Sequence, residues 1–263
     1  MTQAARPTVL VFAGLDPSGG AGISADIEAI SAQGAHPLAL VTALTVQDNN
    51  RVHAVLPVDA AVLRRQAQVL IDAFDIGAVK IGIPGNGANA AVIAELIAQL
   101  RQRRPGLPVV LDPVLASGNG DALARGDALA AVRTLLAVST LLVPNLPEAA
   151  ALRDGAATDA PLCEHVLVTG GHADGAQVLN VWTGPQGARQ WQWPRLPGQF
   201  HGSGCTLAAA IAARLALGEA MEQALDHAQA YCHRTLEQSY TIGPGQRIPQ
   251  RLAPPASKQS KEA

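Results

Sequence analysis

The hexapeptide His201-Gly202-Ser203-Gly204-Cys205-Thr206, followed by the small apolar run Leu207-Ala208-Ala209-Ala210, reads as a helix start able to hold an anion. Its glycines let the main chain come close to a ligand, and the unsatisfied N–H groups of the following helix point at the same place. The partial positive charge there favours a phosphate or a developing oxyanion. The same field is expected to lower the thiol pKa of Cys205 in the first turn. These residues also suit an ordinary cap on a buried helix, and the local sequence alone weighs both readings equally.

Other residues could join that chemistry. Asp16-Pro17-Ser18-Gly19-Gly20-Ala21-Gly22 is a second glycine-rich turn, able to form an anion nest or admit a flat ligand. It lacks the Walker Lys-Ser/Thr pair and the G-x-G-x-x-G spacing, so alone it reads as a tight strand-to-helix connection. Asp112, Asn145 and Glu148 follow two strand-like runs and would project at one sheet edge. A rim of carboxylates with an amide suits Mg²⁺, which keeps several waters. Asn145 taken singly is a helix cap, and the pairing of the two strand ends favours metal-phosphate organisation. Gln47 offers donor and acceptor to an aminopyrimidine-like edge, though on its own it reads as a solvated turn. Lys80, inside an apolar strand, reads as a structural ion pair rather than a phosphate ligand. Trp182, Trp191 and Trp193 read as packing or lid residues. The seven histidines have no ligand spacing, so no histidine metal site is expected.

The elements that must position these residues alternate between strand and helix. Apolar runs at 8–13, 38–46, 52–58, 78–83, 109–112, 140–143 and 165–169 read as strands, with Pro57 marking an edge. Helices are expected near 23–34, 59–74, 86–103, 127–137, 147–152, 203–217 and 220–239. The segments 178–182 and 189–193 read as a hairpin. This rhythm predicts an α/β fold with a mostly parallel central sheet, helices on both faces and a small hairpin. Ligands of such sheets sit at the carboxyl ends of the strands.

With 263 residues, one domain over 1–252 and a disordered tail over 253–263 are expected. Hydrophobic residues make up 48% of the chain and aromatics 3%, the mix of helices packed on buried aliphatic strands. A formal charge of -2 gives no reason to expect nucleic acid as a partner, so a small molecule is expected. Every apolar run is interrupted before it could span a bilayer, and the start has no signal-peptide pattern. Three scattered cysteines without a C-x-x-C pair fit a reducing cytoplasm.

Read in order, several segments resemble hydroxymethylpyrimidine/phosphomethylpyrimidine kinases of thiamin biosynthesis. They are residues 13–23 with Ala25-Asp26, Val41 to Gln47, Val79-Lys80-Ile81-Gly82, Asp112-Pro113-Val114, Pro144 to Ala149, Gly170-Gly171-His172 and His201 to Leu207. The resemblance implies a three-layer ribokinase-like fold. It implies ATP-dependent phosphorylation of 4-amino-5-hydroxymethyl-2-methylpyrimidine, then of its monophosphate to the diphosphate. It puts Gly14, Asp26, Gln47 and Ile83 around the pyrimidine. Gly202, Ser203, Gly204 and Cys205 would form the anion hole, with Cys205 nearest the reacting hydroxyl. Asn145, Glu148, Thr169 and Asp112 would serve Mg-ATP, with Glu148 and Asp112 reaching the metal mostly through water. A homodimer is implied, with room for a monovalent cation.

Three positions depart from expectation. Cys205 stands where most ribokinase-like enzymes have an Asp base, as is usual in this family. Thr169 stands where many relatives have Lys, and Ile83 where Met is common. A pyridoxal/pyridoxine kinase on the same fold is the alternative. A non-catalytic pyrimidine-binding sensor is motivated by Thr169 alone.

Overall fold

The structure is a computed structural model that describes residues 5–115, 128–154 and 162–252. Its strands are β1 (Thr8–Leu15), β2 (His36–Gln47), β3 (Val52–Pro57), β4 (Ile76–Ile81), β5 (Val109–Leu111), β6 (Leu141–Leu142), β7 (His165–Val168), β8 (Gln177–Gly184) and β9 (Gly187–Pro194). They form one sheet in the order β3-β2-β1-β4-β5-β6-β7-β8-β9. The six inner strands pair in parallel, while β3 closes one edge and the β8–β9 hairpin the other, both antiparallel. The expected hairpin is therefore the end of the central sheet.

Successive residues of β1 face opposite sides of the sheet. Val9, Val11 and Ala13 enter one core with α1 (Gly22–Ala32), α6 (Ser203–Ala216) and α7 (Met221–Glu237). Leu10 and Phe12 enter the other with α2 (Ala60–Ala73), α3 (Gly87–Arg103) and α4 (Ala128–Leu136). A short α5 (Leu146–Arg153) follows β6. Asp59 and Asn86 cap α2 and α3 with their side chains, as their residue types suggest. No helix among the described residues is long and apolar enough to cross a membrane.

The expected strand at 78–83 is shifted: β4 begins at Ile76. Gly77 breaks the apolar run, but a Cβ there would lie 2.9 Å from the Thr8 carbonyl oxygen and 3.1 Å from the Ala216 side chain. The missing side chain thus serves close packing of α6 on the sheet. The shift frees Gly82 and Ile83 to lie past the strand end, where the site forms. The first residue of the helix expected at 127–137 and the tail at 253–263 lie outside the described residues.

β1 lies between β2 and β4, so the chain leaves β1 first to one side and later returns to the other. That reversal opens a crevice at the carboxyl ends of the strands.

Candidate active site

The crevice holds a cavity of about 550 Å³ whose lining includes Gly14, Gln47, Ile83, Asp112, Asn145, Glu148, Thr169 and Gly202 to Cys205. Eleven of the twelve residues singled out above therefore border one space. Gly14 and Ile83 are in direct contact: a Cβ on Gly14 would sit 2.5 Å from the Ile83 Cδ1. Trp182 and Trp191 are buried in the core, whereas Trp193 borders the cavity.

The twelfth, Asp26, requires a correction. It shares the inward stripe of α1 with Ile23 and Ile30, spacings that place side chains on one helix face. Its carboxylate is wholly buried and 2.9 Å from the Lys80 Nζ, and it is Lys80, not Asp26, that borders the cavity. Lys80 has the structural pairing expected of it, with Asp112 at 3.8 Å on its other side. Burial raises the Asp26 pKa to about 6 ahead of the opposing pull of Lys80.

Asp16 joins the two glycine-rich turns. Its Oδ1 accepts the Ser18 N–H at 2.8 Å, and its Oδ2 accepts the Ser18 hydroxyl at 2.9 Å and the Ala21 N–H at 2.8 Å. The His201 Nε2 lies 2.7 Å from the same Oδ2. Burial alone would raise the Asp16 pKa, but bonds from His201, Gln47 and Ser18 together hold it down to about 2. An ionised carboxylate thus ties the first glycine-rich turn to the second. Sequence reasoning assigned Asp16 and His201 no role, because Asp-Pro-Ser-Gly by itself is a common turn.

Gly202 caps α6 in the left-handed region, with φ 76°. Thr206 returns both its N–H (2.9 Å) and its hydroxyl (2.8 Å) to the Gly202 carbonyl. The earlier N–H groups of the helix, from Ser203 to Cys205, have no helical acceptor and border the cavity. That is the arrangement an anion needs.

The expected lowering of the Cys205 pKa is overturned. Cys205 opens on the cavity yet is enclosed by Lys80, Asp112 and the Gly22 N–H. Loss of water pushes its thiol up to about 12, against the attraction of Lys80, and the Asp112 and Asp26 charges push the same way. Burial among carboxylates outweighs the helix end.

Asn145 and Glu148 fulfil the capping reading while bordering the cavity. The Asn145 Oδ1 accepts the Glu148 N–H at 2.9 Å, and the Glu148 Oε2 accepts the Asn145 N–H at 2.9 Å, a reciprocal capping box. Burial, then the Asp112 charge, raises the Glu148 pKa to about 7. Thr169 pairs with the same strand end, its N–H donating to the Pro144 carbonyl at 2.9 Å.

A family model described as phosphomethylpyrimidine kinase matches residues 16–250. Hydroxymethylpyrimidine/phosphomethylpyrimidine kinase of Rhizobium meliloti is 35% identical over 252 residues, covering 90% of this chain and 93% of that protein. The thiamine biosynthesis multifunctional protein ThiED of Corynebacterium efficiens is 34% identical over 249 residues and 89% of this chain, which spans 33% of that longer protein. Among solved structures, phosphomethylpyrimidine kinase from Clostridium difficile superposes with TM-score 0.72 at 26% identity, covering 88% of this chain and 100% of the other. Pyridoxal kinase of Bacillus subtilis, in an ADP complex, superposes with TM-score 0.80 at 24% identity, covering 94% and 98%, a likeness of fold.

Proposed function

We propose a reaction from one premise: the chain belongs to the phosphomethylpyrimidine kinase family. It is an ATP-dependent phosphotransferase that phosphorylates 4-amino-5-hydroxymethyl-2-methylpyrimidine, then the resulting monophosphate, in thiamin biosynthesis. The observation that carries this reading is the single cavity joining Gln47, the α6 N-terminus and the Asn145–Glu148 corner. We assign residues 1–252 to one kinase domain and place it in the cytoplasm, in keeping with three free cysteines.

The residues present fit Mg²⁺. The Asp112 Oδ2 is buried without a hydrogen-bond partner among the described residues, and Glu148 shares its wall of the cavity. Two crowded carboxylates are relieved by a divalent cation. Among the described residues no three His, Cys, Asp or Glu side chains cluster as a metal site, so water would complete the coordination, as Mg²⁺ prefers. When bound, Mg²⁺ neutralises charge on the ATP phosphates.

The chain's own residues then divide the work. Gln47, on the wall of the cavity, offers its amide to the aminopyrimidine edge, and Gly14 and Ile83 bracket the ring. The free N–H groups of Ser203, Gly204 and Cys205 receive the charge that develops on the transferred phosphoryl group. Cys205 keeps its proton at neutral pH and orients the reacting hydroxyl, so it is not the base. Catalysis rests on positioning and electrostatics, which suits phosphoryl transfer.

The test is ADP release and product mass with the pyrimidine, and in parallel with pyridoxal and pyridoxine, with and without Mg²⁺. The expected result is Mg²⁺-dependent formation of the monophosphate and then the diphosphate. Turnover of a vitamin B6 alcohol but not the pyrimidine would replace the substrate, and tight binding without transfer would replace the enzyme by a binding protein. Gln47→Ala is expected to raise the pyrimidine KM by about 10-fold to 100-fold with kcat within about threefold, the worth of one or two hydrogen bonds. An unaltered KM rejects the pocket assignment.

We also propose a homodimer. Leu44, Val46 and Leu56 are 47%, 52% and 46% exposed. Leu44 and Leu56 are cross-strand partners, and Val46 lies two residues along the same face of β2. An apolar patch at a sheet edge favours a self-complementary contact. Light scattering should give twice the chain mass, with Leu44→Glu shifting it to the monomer.

A further inference from the structure

Arg251 follows α7 by fourteen residues, yet its side chain is fully buried. Its Nε–H donates to the Thr206 hydroxyl oxygen at 2.8 Å. One terminal nitrogen donates to the Gly20 carbonyl and reaches the His201 carbonyl at 3.4 Å. The other lies 3.2 Å from the Glu28 carboxylate. A single cation therefore holds the first glycine-rich turn, the residue before Gly202, and the first turn of α6.

The contact it bridges is tight. A Cβ on Gly202 would lie 2.2 Å from the Gly20 oxygen and 3.0 Å from the Arg251 guanidinium. The Thr206 hydroxyl that accepts from Arg251 donates in turn to the Gly202 carbonyl, so a chain of bonds runs from the guanidinium to the left-handed peptide. The strap leading to Arg251 is anchored as well. The His201 N–H donates to the Arg247 carbonyl at 2.9 Å, and the Asn49 amide, two residues past Gln47, donates to the Gln246 carbonyl at 2.9 Å.

We propose that Arg251 is a positioning residue for the anion hole: it turns the Gly20, His201 and Gly202 carbonyls away from the cavity and so aims the Ser203, Gly204 and Cys205 N–H groups at the transferred phosphoryl group. This deepens the kinase reading and rests on it. Arg251 touches no reacting atom. It acts by fixing a backbone orientation, where an error near 1 Å costs on the order of 100-fold in rate.

The test compares wild type, Arg251→Lys, Arg251→Ala, Thr206→Val and Thr206→Ser on 4-amino-5-hydroxymethyl-2-methylpyrimidine and on pyridoxal. A wrong substrate shows in the wild type, and a wrong positioning role shows only in the variants. Arg251→Lys is expected to lose about 30-fold to 100-fold in kcat while KM for the alcohol moves less than about threefold. Thr206→Val is expected to lose about tenfold in kcat, and Thr206→Ser, which keeps the hydroxyl, to stay within about threefold. Millimolar ethylguanidine should restore part of the kcat of Arg251→Ala, which a general loss of folding would not allow. The inference is overturned by an unchanged kcat in folded Arg251→Lys. Equal losses in Thr206→Val and Thr206→Ser that follow the folded fraction overturn it too, and this arm decides the matter if the Arg251 variants do not fold.

Discussion

Gly202→Ala is expected to lower kcat by about 1,000-fold. Two independent effects meet at that residue. Its φ of 76° lies in the left-handed region, where an L side chain costs roughly 1–2 kcal/mol. The added Cβ would also stand 2.2 Å from the Gly20 oxygen and 2.8 Å from the Ala21 Cα. Both are main-chain atoms and cannot rotate aside. The two glycine-rich turns must part, and with them the donors that face the phosphoryl group. Stability should fall by about 2–4 kcal/mol, so rates must be taken below the melting transition and corrected for the folded fraction. Gly204→Ala separates the effects. The nearest atom to a Cβ there is the Asp112 Oδ1 at 3.9 Å, so the fold accepts it and any rate loss comes from the methyl group inside the cavity. A folded Gly202→Ala protein with wild-type kcat would remove the anion hole from the mechanism.

The contrast between these glycines shows what the sequence can and cannot carry. The alternation of apolar runs was enough for the parallel sheet, because strands buried on both faces must be apolar throughout. Strand ends then located Asp112 and Asn145, while Thr169 came from the family resemblance alone. The glycines announced two tight turns. What was hidden is the approach of those turns, since Asp16 and His201 stand 185 residues apart and meet only through the fold. Arg251 was hidden for the same reason: its partners Gly20, Glu28, His201 and Thr206 are all remote in sequence. Asp26 and Cys205 were misjudged in a second way. Motif position gave their neighbourhood, but the direction of a side chain and the loss of water around it are properties of packing. For Cys205 the visible helix end argued for a thiolate, and the unseen carboxylates argued against it more strongly.

Lys80→Met should destabilise the protein by about 3–5 kcal/mol, the usual cost of stripping one partner from a buried ion pair. Methionine fills the same volume within β4, so the effect is electrostatic rather than a cavity. Lys80 is the cation between Asp26, 2.9 Å away, and Asp112, 3.8 Å away. Neither the Asp26 Oδ1 nor the Asp112 Oδ2 has a hydrogen-bond partner among the described residues, and the Arg251 charge helps Asp26 less than Lys80 does. The pH dependence has a definite sign. Burial, partly offset by Lys80, already raises the Asp26 pKa from 3.8 to about 6. The folded state therefore binds more protons than the unfolded state between those values, and this group lowers stability as pH rises through that window. Without Lys80 the folded pKa climbs further and the loss continues above pH 6. The gap in urea midpoint between wild type and Lys80→Met should accordingly widen from pH 6 to pH 8. Adding Asp26→Leu to Lys80→Met removes one orphaned carboxylate and should recover more than half of the loss, as removal of a whole buried pair often does. A single variant within about 1 kcal/mol of wild type at pH 8 would mean that water or local rearrangement solvates the pair. Recovery of stability in the double variant without recovery of rate would separate the two duties of Lys80: balancing Asp26 in the core, and holding Asp112 in place at the edge of the site.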